Sequence, residues 1–339
     1  MAKPKVILSG FADEAANSKT PKEQLAVLAA LGMKYYSLRF VDMGEGVKNL
    51  MSLKVSEVKR LKRLHKEFGI SVSSIGSPIG KVKLRDVDDG THNAYIPFDR
   101  YLRADVAKTI DRAHRFESKL IRGFSFYHPK GEDPWTHLEE AADKLTAIAE
   151  ACRKADVIYG LEVEANLVGQ SGPLQAELAR RVNNDNMVLI FDGANIAVHG
   201  KNPDEIFAEY KAMLPWLGWM HVKDYHVSRK LKFKGHVDEA MLKQFVPCDQ
   251  GGSGHERIFR DLKTRLPRLA GRMKRRGVPG FFLDLEPHLK GGGQFGGFSG
   301  PDGFGVALRS LCRVLDFVGI DYDLTEYEDI RRWKERVKG

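Results

Sequence analysis

The sequence predicts an α/β protein that forms a single closed (β/α)8 barrel. Short apolar runs alternate with amphipathic helical patterns along the chain, which indicates a parallel sheet. There are eight such runs, whereas an open parallel sheet usually has about five or six strands. The first run is followed by Ser9-Gly10-Phe11-Ala12-Asp13-Glu14, which lacks the glycine pattern of an open dinucleotide-binding sheet. The predicted strands begin near Val6, Tyr35, Ser71, Leu120, Gly160, Met187, Gly218 and Gly280.

Helices are expected between these strands. Apolar residues recur at three- and four-residue spacing, as an amphipathic helix requires, at Val55, Val58, Leu61 and Leu64. Two predicted helices start with a capping side chain, a proline and a glutamate, in Thr20-Pro21-Lys22-Glu23 and Asn202-Pro203-Asp204-Glu205. A glycine marks the predicted helix ends at Gly32, Gly69 and Gly277.

The chain is expected to hold one catalytic domain. Residues 1–320 are assigned to the barrel, and residues 321–339 to a C-terminal tail that packs on this barrel or on a neighbouring copy. Long connections follow strand three (76–99), strand seven (225–255) and strand eight (290–305). Loops at the carboxyl ends of barrel strands form the active face of this fold, so these three are expected to line a substrate site.

Composition narrows the class of protein. Hydrophobic residues make up 42% and charged residues 29% of the chain, and no apolar run reaches the length of about 18–20 residues that a membrane span needs. The apolar stretch near the N-terminus is too short for a signal peptide, so the cytoplasm is the expected location. The formal charge of +9 is spread over helix faces without a nucleic-acid-binding motif. The three cysteines share no metal-binding spacing. We therefore expect a small-molecule partner, no nucleic acid and no membrane; homo-oligomers are common for this fold.

Four apolar runs in the second half of the chain lead to residues that bind hard metals. Buried carboxylates and imidazoles are costly unless they are paired, and a Mn, Mg, Co or Zn ion satisfies them. The predicted strands are five to eight in order, and adjacent strands lie about 4.8 Å apart, so their ends form an arc. Each residue alone is also compatible with a helix cap or a structural hydrogen bond. The four predicted ligands are Glu164, Asp192, His221 and Glu286.

Glu162 competes with Glu164 for the first ligand position. The two residues are separated by one residue, so on a strand both side chains point to the same face. Glu164 lies nearer to the loop and is preferred, and Glu162 is expected to be a buried supporting group. Asp284 stands in the same relation to Glu286.

Short motifs spread over nearly the whole chain occur in the order typical of one known family. They are Lys5 to Glu14, Ser73-Ser74-Ile75-Gly76-Ser77-Pro78-Ile79-Gly80-Lys81, Ile121-Arg122-Gly123-Phe124-Ser125-Phe126-Tyr127, His221-Val222-Lys223-Asp224, Glu286-Pro287-His288-Leu289, and Gly296 to Pro301 with Phe304. With these motifs the sequence resembles the xylose-isomerase-like TIM barrels, and more narrowly the sugar phosphate isomerases/epimerases.

This resemblance implies a metal-dependent enzyme of carbohydrate metabolism. Glu164, Asp192, His221 and Glu286 would bind one divalent ion, with manganese first and cobalt, magnesium or zinc as alternatives. Glu164 and Glu286 would serve as base and acid on a keto sugar or polyol derivative, through a metal-stabilised enediolate. A lyase or dehydratase acting on an inosose or a 3-keto-glycoside would start with the same deprotonation and remains the alternative.

The sequence departs from the family's pattern around the predicted substrate. Ser37-Leu38-Arg39 stands where a glutamate often precedes Leu-Arg, and Asn195 stands where sugar-binding members often have a histidine. Rim salt bridges and a helix cap are the structural alternatives for several of the expected substrate contacts. Those contacts are Arg122, Lys223, Asn195, Glu14 and His288.

Overall fold

Eight short runs of mostly buried residues form the strands of a barrel, as the sequence predicts. A computed structural model describes residues 4–90, 92–227, 244–289 and 300–338. The barrel strands are β1 (Ile7–Gly10), β2 (Tyr35–Leu38), β3 (Ser71–Gly76), β4 (Leu120–Gly123), β5 (Ile158–Glu162), β6 (Met187–Asp192), β7 (Leu217–Val222) and β8 (Phe282–Leu285).

The strands pair in parallel and in the order expected of a (β/α)8 barrel. Each of β2 to β8 pairs with its neighbour in the chain, and β8 pairs with β1. A single parallel bridge between Phe11 and Ser37 lies where β1 meets β2, so the sheet is nearly closed. All eight strands therefore point their carboxyl ends toward one face of the molecule, where side chains from different strands can meet.

Helices follow the strands and cover the barrel. They are α1 (Pro21–Ala30), α2 (Val55–Phe68), α3 (Phe98–Tyr101), α4 (Ala107–Arg115), α5 (Leu138–Lys154), α6 (Gly172–Val182), α7 (Gly193–Ala197), α8 (Pro203–Met213), α9 (His255–Lys274), α10 (Gly300–Val318) and α11 (Tyr327–Lys338). No described helix combines the length and the apolar character needed to cross a membrane.

The predicted helix caps are confirmed. Thr20 accepts a hydrogen bond from the backbone of Glu23 at the start of α1. Asn202 accepts from the backbones of Asp204 and Glu205 at the start of α8, and the Glu205 carboxylate accepts from the Asn202 backbone at 2.8 Å. These side chains satisfy backbone N–H groups that a helix leaves without partners.

Gly160 lies in the middle of β5, whereas the sequence placed it at the start of that strand. A Cβ atom on Gly160 would lie 2.0 Å from Cη2 of Trp219, a fully buried side chain. The glycine therefore leaves room for an indole ring that packs with Ile158, Val188 and Phe282. The sequence pattern presented the glycine as a strand boundary because the distant tryptophan is not visible in local spacing.

The three long connections are described in part. After β3, no regular helix or strand occurs in the described part of the loop until α3 begins at Phe98. After β7, Asp224–Tyr225 pairs antiparallel with Phe245–Val246, and residues 228–243 lie outside the described residues. After β8, residues 290–299 of the predicted loop lie outside the described residues. The predicted end of this loop at residue 305 is wrong, because α10 already begins at Gly300.

The C-terminal helix α11 packs on α2 of the same chain. The Trp333 indole donates a hydrogen bond to the Glu67 carbonyl at 2.9 Å. A Cβ on Gly69 would lie 2.8 Å from this ring, and Gly69 also has a φ of 66° at the end of α2. Only glycine meets both the left-handed turn and the close approach of the ring without strain.

Candidate metal centre

Four buried side chains converge at the carboxyl ends of β5 to β8. Glu162 is the last residue of β5, Asp192 is the last residue of β6, His221 lies one residue before the end of β7, and Glu286 directly follows β8. One potential ligand atom from each residue lies within 4.8 Å of the others. We call these four residues the ligand quartet. Their convergence follows from the barrel, because consecutive parallel strands end side by side.

The structure favours Glu162 over Glu164 as the first candidate ligand. Among the described residues, Glu162 belongs to the ligand quartet and Glu164 does not. The Glu164 carboxylate instead lies 3.0 Å from the Lys81 ammonium at the partly exposed rim. The alternation rule placed both glutamates on one face, but β5 ends at Glu162 and the backbone beyond it no longer alternates as a strand.

The geometry of the ligand quartet fits a divalent cation. His221 Nδ1 lies 3.0 Å from Glu162 Oε1 and 3.7 Å from Glu286 Oε2. Asp192 Oδ2 is buried and lies 2.8 Å from the Lys223 ammonium, and it receives no hydrogen bond from any other described residue. Three carboxylates and one imidazole form a donor set that suits Mn, Mg, Co or Zn. A dication would satisfy the buried Asp192 oxygen and offset the clustered negative charge.

The pKa of Asp192 reports this excess of negative charge. Burial raises it, the Lys223 ammonium opposes the increase, and the carboxylates of Glu162 and Glu286 add to it, so that the pKa lies above its usual value. For His221, burial lowers the pKa, but the Glu162 and Glu286 carboxylates outweigh burial and raise it. Both pKa shifts are in the direction expected for groups that face a cluster of negatively charged carboxylates.

Buried cations hold the two glutamates in their charged form. Arg122 Nε lies 2.5 Å from Glu162 Oε2, and Lys223 Nζ lies 2.6 Å from Glu286 Oε2. Burial alone would raise the pKa of each glutamate, but Arg122 and His221 lower that of Glu162, and Lys223, His288 and Arg39 lower that of Glu286. Each pKa ends below its usual value. Both glutamates are therefore available as carboxylates.

Arg39 links the ligand quartet to the loop that follows β1. Its guanidinium donates to Glu286 Oε1 at 2.6 Å, to Glu14 Oε1 at 2.9 Å and to Asp13 Oδ2 at 3.0 Å. It also lies 4.3 Å from the centre of the Phe11 ring, whose edge faces His221. Sequence reasoning did not single out Asp13 or Phe11. The only local signal was their place directly after the first strand.

The five predicted substrate contacts all lie at or beside the ligand quartet. Arg122 and Lys223 contact its carboxylates as described above. The Asn195 amide donates to the Val163 carbonyl at 3.1 Å and lies 3.3 Å from Glu162 Oε1. His288 donates from Nδ1 to Glu14 Oε1 at 3.0 Å and from its backbone to Glu14 Oε2 at 2.8 Å. The Glu14 carboxylate thus binds His288 and Arg39, two groups distant in sequence. Contact with a substrate remains a prediction for all five.

Below the ligand quartet, the barrel interior is polar. Ser37 donates a hydrogen bond to Asp284 Oδ2 at 2.8 Å, and the Ser37 hydroxyl also lies 2.6 Å from that of Ser74. Ser37 is the residue that replaces the expected glutamate on the second strand. Burial raises the pKa of Asp284, and this buried carboxyl supports the centre from beneath through its hydrogen bond with Ser37.

Comparison with solved structures shows the same fold in several proteins of low sequence identity. The probable 3-DHS dehydratase AsbF of Bacillus anthracis, involved in petrobactin synthesis, aligns with a TM-score of 0.62 and 16% identity over 91% of this chain and 98% of its own. The IOLI protein with a bound zinc atom aligns with a TM-score of 0.62 and 14% identity over 92% and 99%. A D-tagatose 3-epimerase-like protein aligns with a TM-score of 0.59 and 13% identity over 93% and 98%.

The family is shown by the sequence itself. No curated protein matches the chain. A family model described as xylose isomerase-like TIM barrel matches residues 25–288, which include part of α1, all of β2 to β8 and the whole ligand quartet. The chain therefore belongs to the xylose isomerase-like TIM barrel family.

Proposed function

We propose that this protein is a divalent-metal-dependent isomerase or epimerase that acts on a keto sugar or a polyol derivative. The observation that carries the proposal is the ligand quartet, in which two charged glutamates lie at the two ends of the arc formed by β5 to β8. Glu162 and Glu286 therefore flank the space above Asp192 and His221. Two carboxylates on either side of a substrate are what proton removal and return at carbon require.

The mechanism assigns a separate task to each group. A divalent ion held by the ligand quartet would supply the positive charge that stabilises a carbonyl oxygen as it becomes negative. In one direction of the reaction, the Glu162 carboxylate takes the carbon-bound proton. Glu286 takes up a proton from water and delivers it to the carbon from the other side, and Glu162 then releases its proton to water. Asn195, 3.3 Å from Glu162, and Arg39, 2.6 Å from Glu286, fix the orientation of these two carboxylates. The role that the sequence assigned to Glu164 passes to Glu162 in this proposal.

The metal is proposed to be manganese, with cobalt, magnesium and zinc as alternatives. Carboxylate oxygens and a single imidazole suit all four ions, and the absence of a thiolate in the ligand quartet argues against a soft ion. The bound zinc in the similar IOLI structure supports a divalent ion at a barrel of this kind.

A lyase or dehydratase is the second candidate. It is favoured by two basic groups beside Glu286: Lys223 Nζ at 2.6 Å from Oε2 and His288 Nε2 at 3.8 Å from Oε1. Either group is placed to protonate an oxygen that leaves the carbon next to the deprotonated one. The similarity to a probable dehydratase supports this alternative as far as a shared fold can.

Incubation in deuterated water separates these reactions. The manganese-loaded protein is mixed with a panel of ketoses, inososes and 3-keto-glycosides, and the products are followed by proton NMR and mass spectrometry. We expect deuterium at a carbon next to the carbonyl, with the carbon skeleton and its oxygens retained. Loss of water or of an aglycone would favour the lyase. If the protein catalyses neither exchange nor elimination on any member of the panel, and Glu286→Gln behaves like wild type, both the isomerase proposal and the lyase alternative are contradicted.

A further inference from the structure

Lys223 is a buried cation that bridges two members of the ligand quartet. Its side chain is only 3% exposed, and Nζ lies 2.6 Å from Glu286 Oε2 and 2.8 Å from Asp192 Oδ2. Lys223 directly follows β7, the strand that carries His221, and its contacts with Asp192 and Glu286 place the side chain in the barrel mouth. The ammonium therefore lies within the ring of ligand atoms and not at the solvent-exposed rim.

The oxygens that Lys223 contacts are those that face the centre of the ligand quartet. Glu286 Oε2 is also the oxygen that faces His221 Nδ1, at 3.7 Å. Glu286 Oε1 points instead to Arg39 and, at 3.8 Å, to Arg122. Asp192 Oδ1 accepts the backbone hydrogen bonds of Ala194 and Asn195, which leaves Oδ2 for the centre. An ammonium and a metal ion would thus need the same two oxygens.

Lys223 also compensates a charge cluster that would otherwise be unstable. Three carboxylates of the ligand quartet are buried, and a buried carboxylate without a partner carries a large desolvation penalty. Arg122 neutralises Glu162, but within hydrogen-bonding distance only Lys223, among the described cations, reaches Asp192. The Asp192 side chain therefore depends on Lys223 when no other cation is present.

We propose that Lys223 is an internal counter-ion of the ligand quartet, which holds Asp192 and Glu286 together in the metal-free protein and lowers the affinity for a divalent ion by competing for the same oxygens. This inference rests on the metal site of the proposed function and adds a residue that controls its occupancy. A bound divalent ion would need the same two oxygens, and the flexible four-carbon stem of Lys223 would let the ammonium leave them.

The experiment compares metal affinity and metal-free stability in the full-length protein. Mn²⁺ is titrated calorimetrically into chelator-treated wild type, Lys223→Met and Lys223→Arg, and the melting temperature of each is measured without and with Mn²⁺. We expect Lys223→Met to bind Mn²⁺ about tenfold more tightly or better, because a positive charge in contact with the ligands is gone. Its metal-free form melts at a lower temperature than wild type, and Mn²⁺ raises its melting temperature by more. Lys223→Arg, which keeps the charge, binds Mn²⁺ less tightly than Lys223→Met.

A matched control distinguishes this effect from a general change of surface charge. Lys81→Met removes a lysine that pairs with Glu164 at 3.0 Å outside the ligand quartet, so its Mn²⁺ affinity stays at the wild-type value. If Lys223→Met does not fold without metal, Lys223→Gln provides the same comparison with a polar head group.

The outcomes separate this inference from the proposed function. Mn²⁺ binding by Lys223→Met but not by wild type would support competition in its strongest form. Equal or weaker Mn²⁺ affinity in Lys223→Met, with wild type binding normally, overturns the counter-ion role and leaves the metal site intact. No binding by wild type or by any Lys223 variant overturns the metal site itself, and this inference with it.

Discussion

At the scale of single residues, the candidate centre is a balance of buried charges. Glu162, Asp192 and Glu286 are each at most 2% exposed, and Lys223, Arg122 and Arg39 contact them directly. The pKa of each glutamate is lowered and that of Asp192 is raised. Cations therefore offset the charge around the glutamates more completely than around Asp192, where a metal ion has most to contribute.

A histidine outside the centre makes the stability of the protein depend on pH. Burial first, and then the Lys62 ammonium, lower the pKa of His65 from 6.5 to about 4, and the Tyr36 hydroxyl lies 2.7 Å from its Nε2. The unfolded chain therefore binds a proton at a pH where the folded protein does not. The contribution of His65 is fully present above about pH 6.5 and is lost as the pH falls toward 4.

Urea unfolding at pH 7 and pH 5 measures this effect. We expect His65→Gln, which has no proton to bind in this range, to lose less free energy of unfolding between the two pH values than wild type does. The difference should be roughly 2 kcal/mol, at about 1.4 kcal/mol per pH unit below 6.5. Equal losses in both proteins would show that His65 is protonated as readily in the folded state as in the unfolded state.

At the scale of single elements, the strands position the site through their ends and their packing. Trp219 and His221 lie on the same face of β7, so the indole below fixes the strand that carries the imidazole above. The indole fits only because Gly160 on β5 has no side chain. Glycine at this position thus supports the geometry of two strands that contribute to the ligand quartet.

A methyl group at position 160 should destabilise the barrel. In Gly160→Ala the added Cβ would lie 2.0 Å from Trp219 Cη2, which the ring can avoid only by moving the strand. Overpacking of this kind costs about 1–3 kcal/mol of unfolding free energy. Gly271→Ala in α9 is the control, since the atom nearest to its added Cβ would be 3.6 Å away and alanine favours a helix by up to about 1 kcal/mol. Denaturant unfolding of both variants tests this prediction. A Gly160→Ala protein as stable as wild type would refute the role of Gly160 in packing against Trp219.

The sequence predicted the elements better than their boundaries. The starts of β2, β3, β4 and β6 were predicted to the residue, because apolar runs and helix caps mark them locally. The starts of β5 and β8 were each misplaced by two residues, and the end of the loop before α10 was wrong. The start of β5 depended on Trp219, a contact that joins residues far apart in the chain, which no local pattern records.

At the scale of the whole molecule, the barrel explains why the site could be predicted at all. Counting eight strand–helix repeats predicts a closed barrel, and closure brings the ends of β5 to β8 together at one face. Asp192, His221 and Glu286 could be selected on this basis. The choice between Glu162 and Glu164 could not, because it depends on the residue at which β5 ends. The cation partners could not be assigned either, since Arg39, Arg122 and Lys223 come from three different strands or strand ends.

The packing of the C-terminal tail (residues 321–339) also could not be predicted from local sequence. The tail sequence indicated a segment that packs on this barrel or on a neighbouring copy, but not on which of the two. In the structure, Trp333 contacts Gly69 and Glu67 of α2 on the same chain. A docking partner of this kind is specified by the fit of a ring against one glycine, which spacing along the chain does not reveal.

Metal binding by two glutamate variants decides whether the ligand quartet is a metal centre. Chelator-treated wild type, Glu162→Gln and Glu164→Gln are titrated with Mn²⁺, and bound metal is quantified by mass spectrometry after dialysis. We expect one ion per wild-type chain, a similar affinity in Glu164→Gln, whose carboxylate pairs with Lys81, and an affinity lower by on the order of 10- to 100-fold in Glu162→Gln. A wild-type protein that binds no divalent ion, or a loss of affinity in Glu164→Gln but not in Glu162→Gln, would contradict the centre described above.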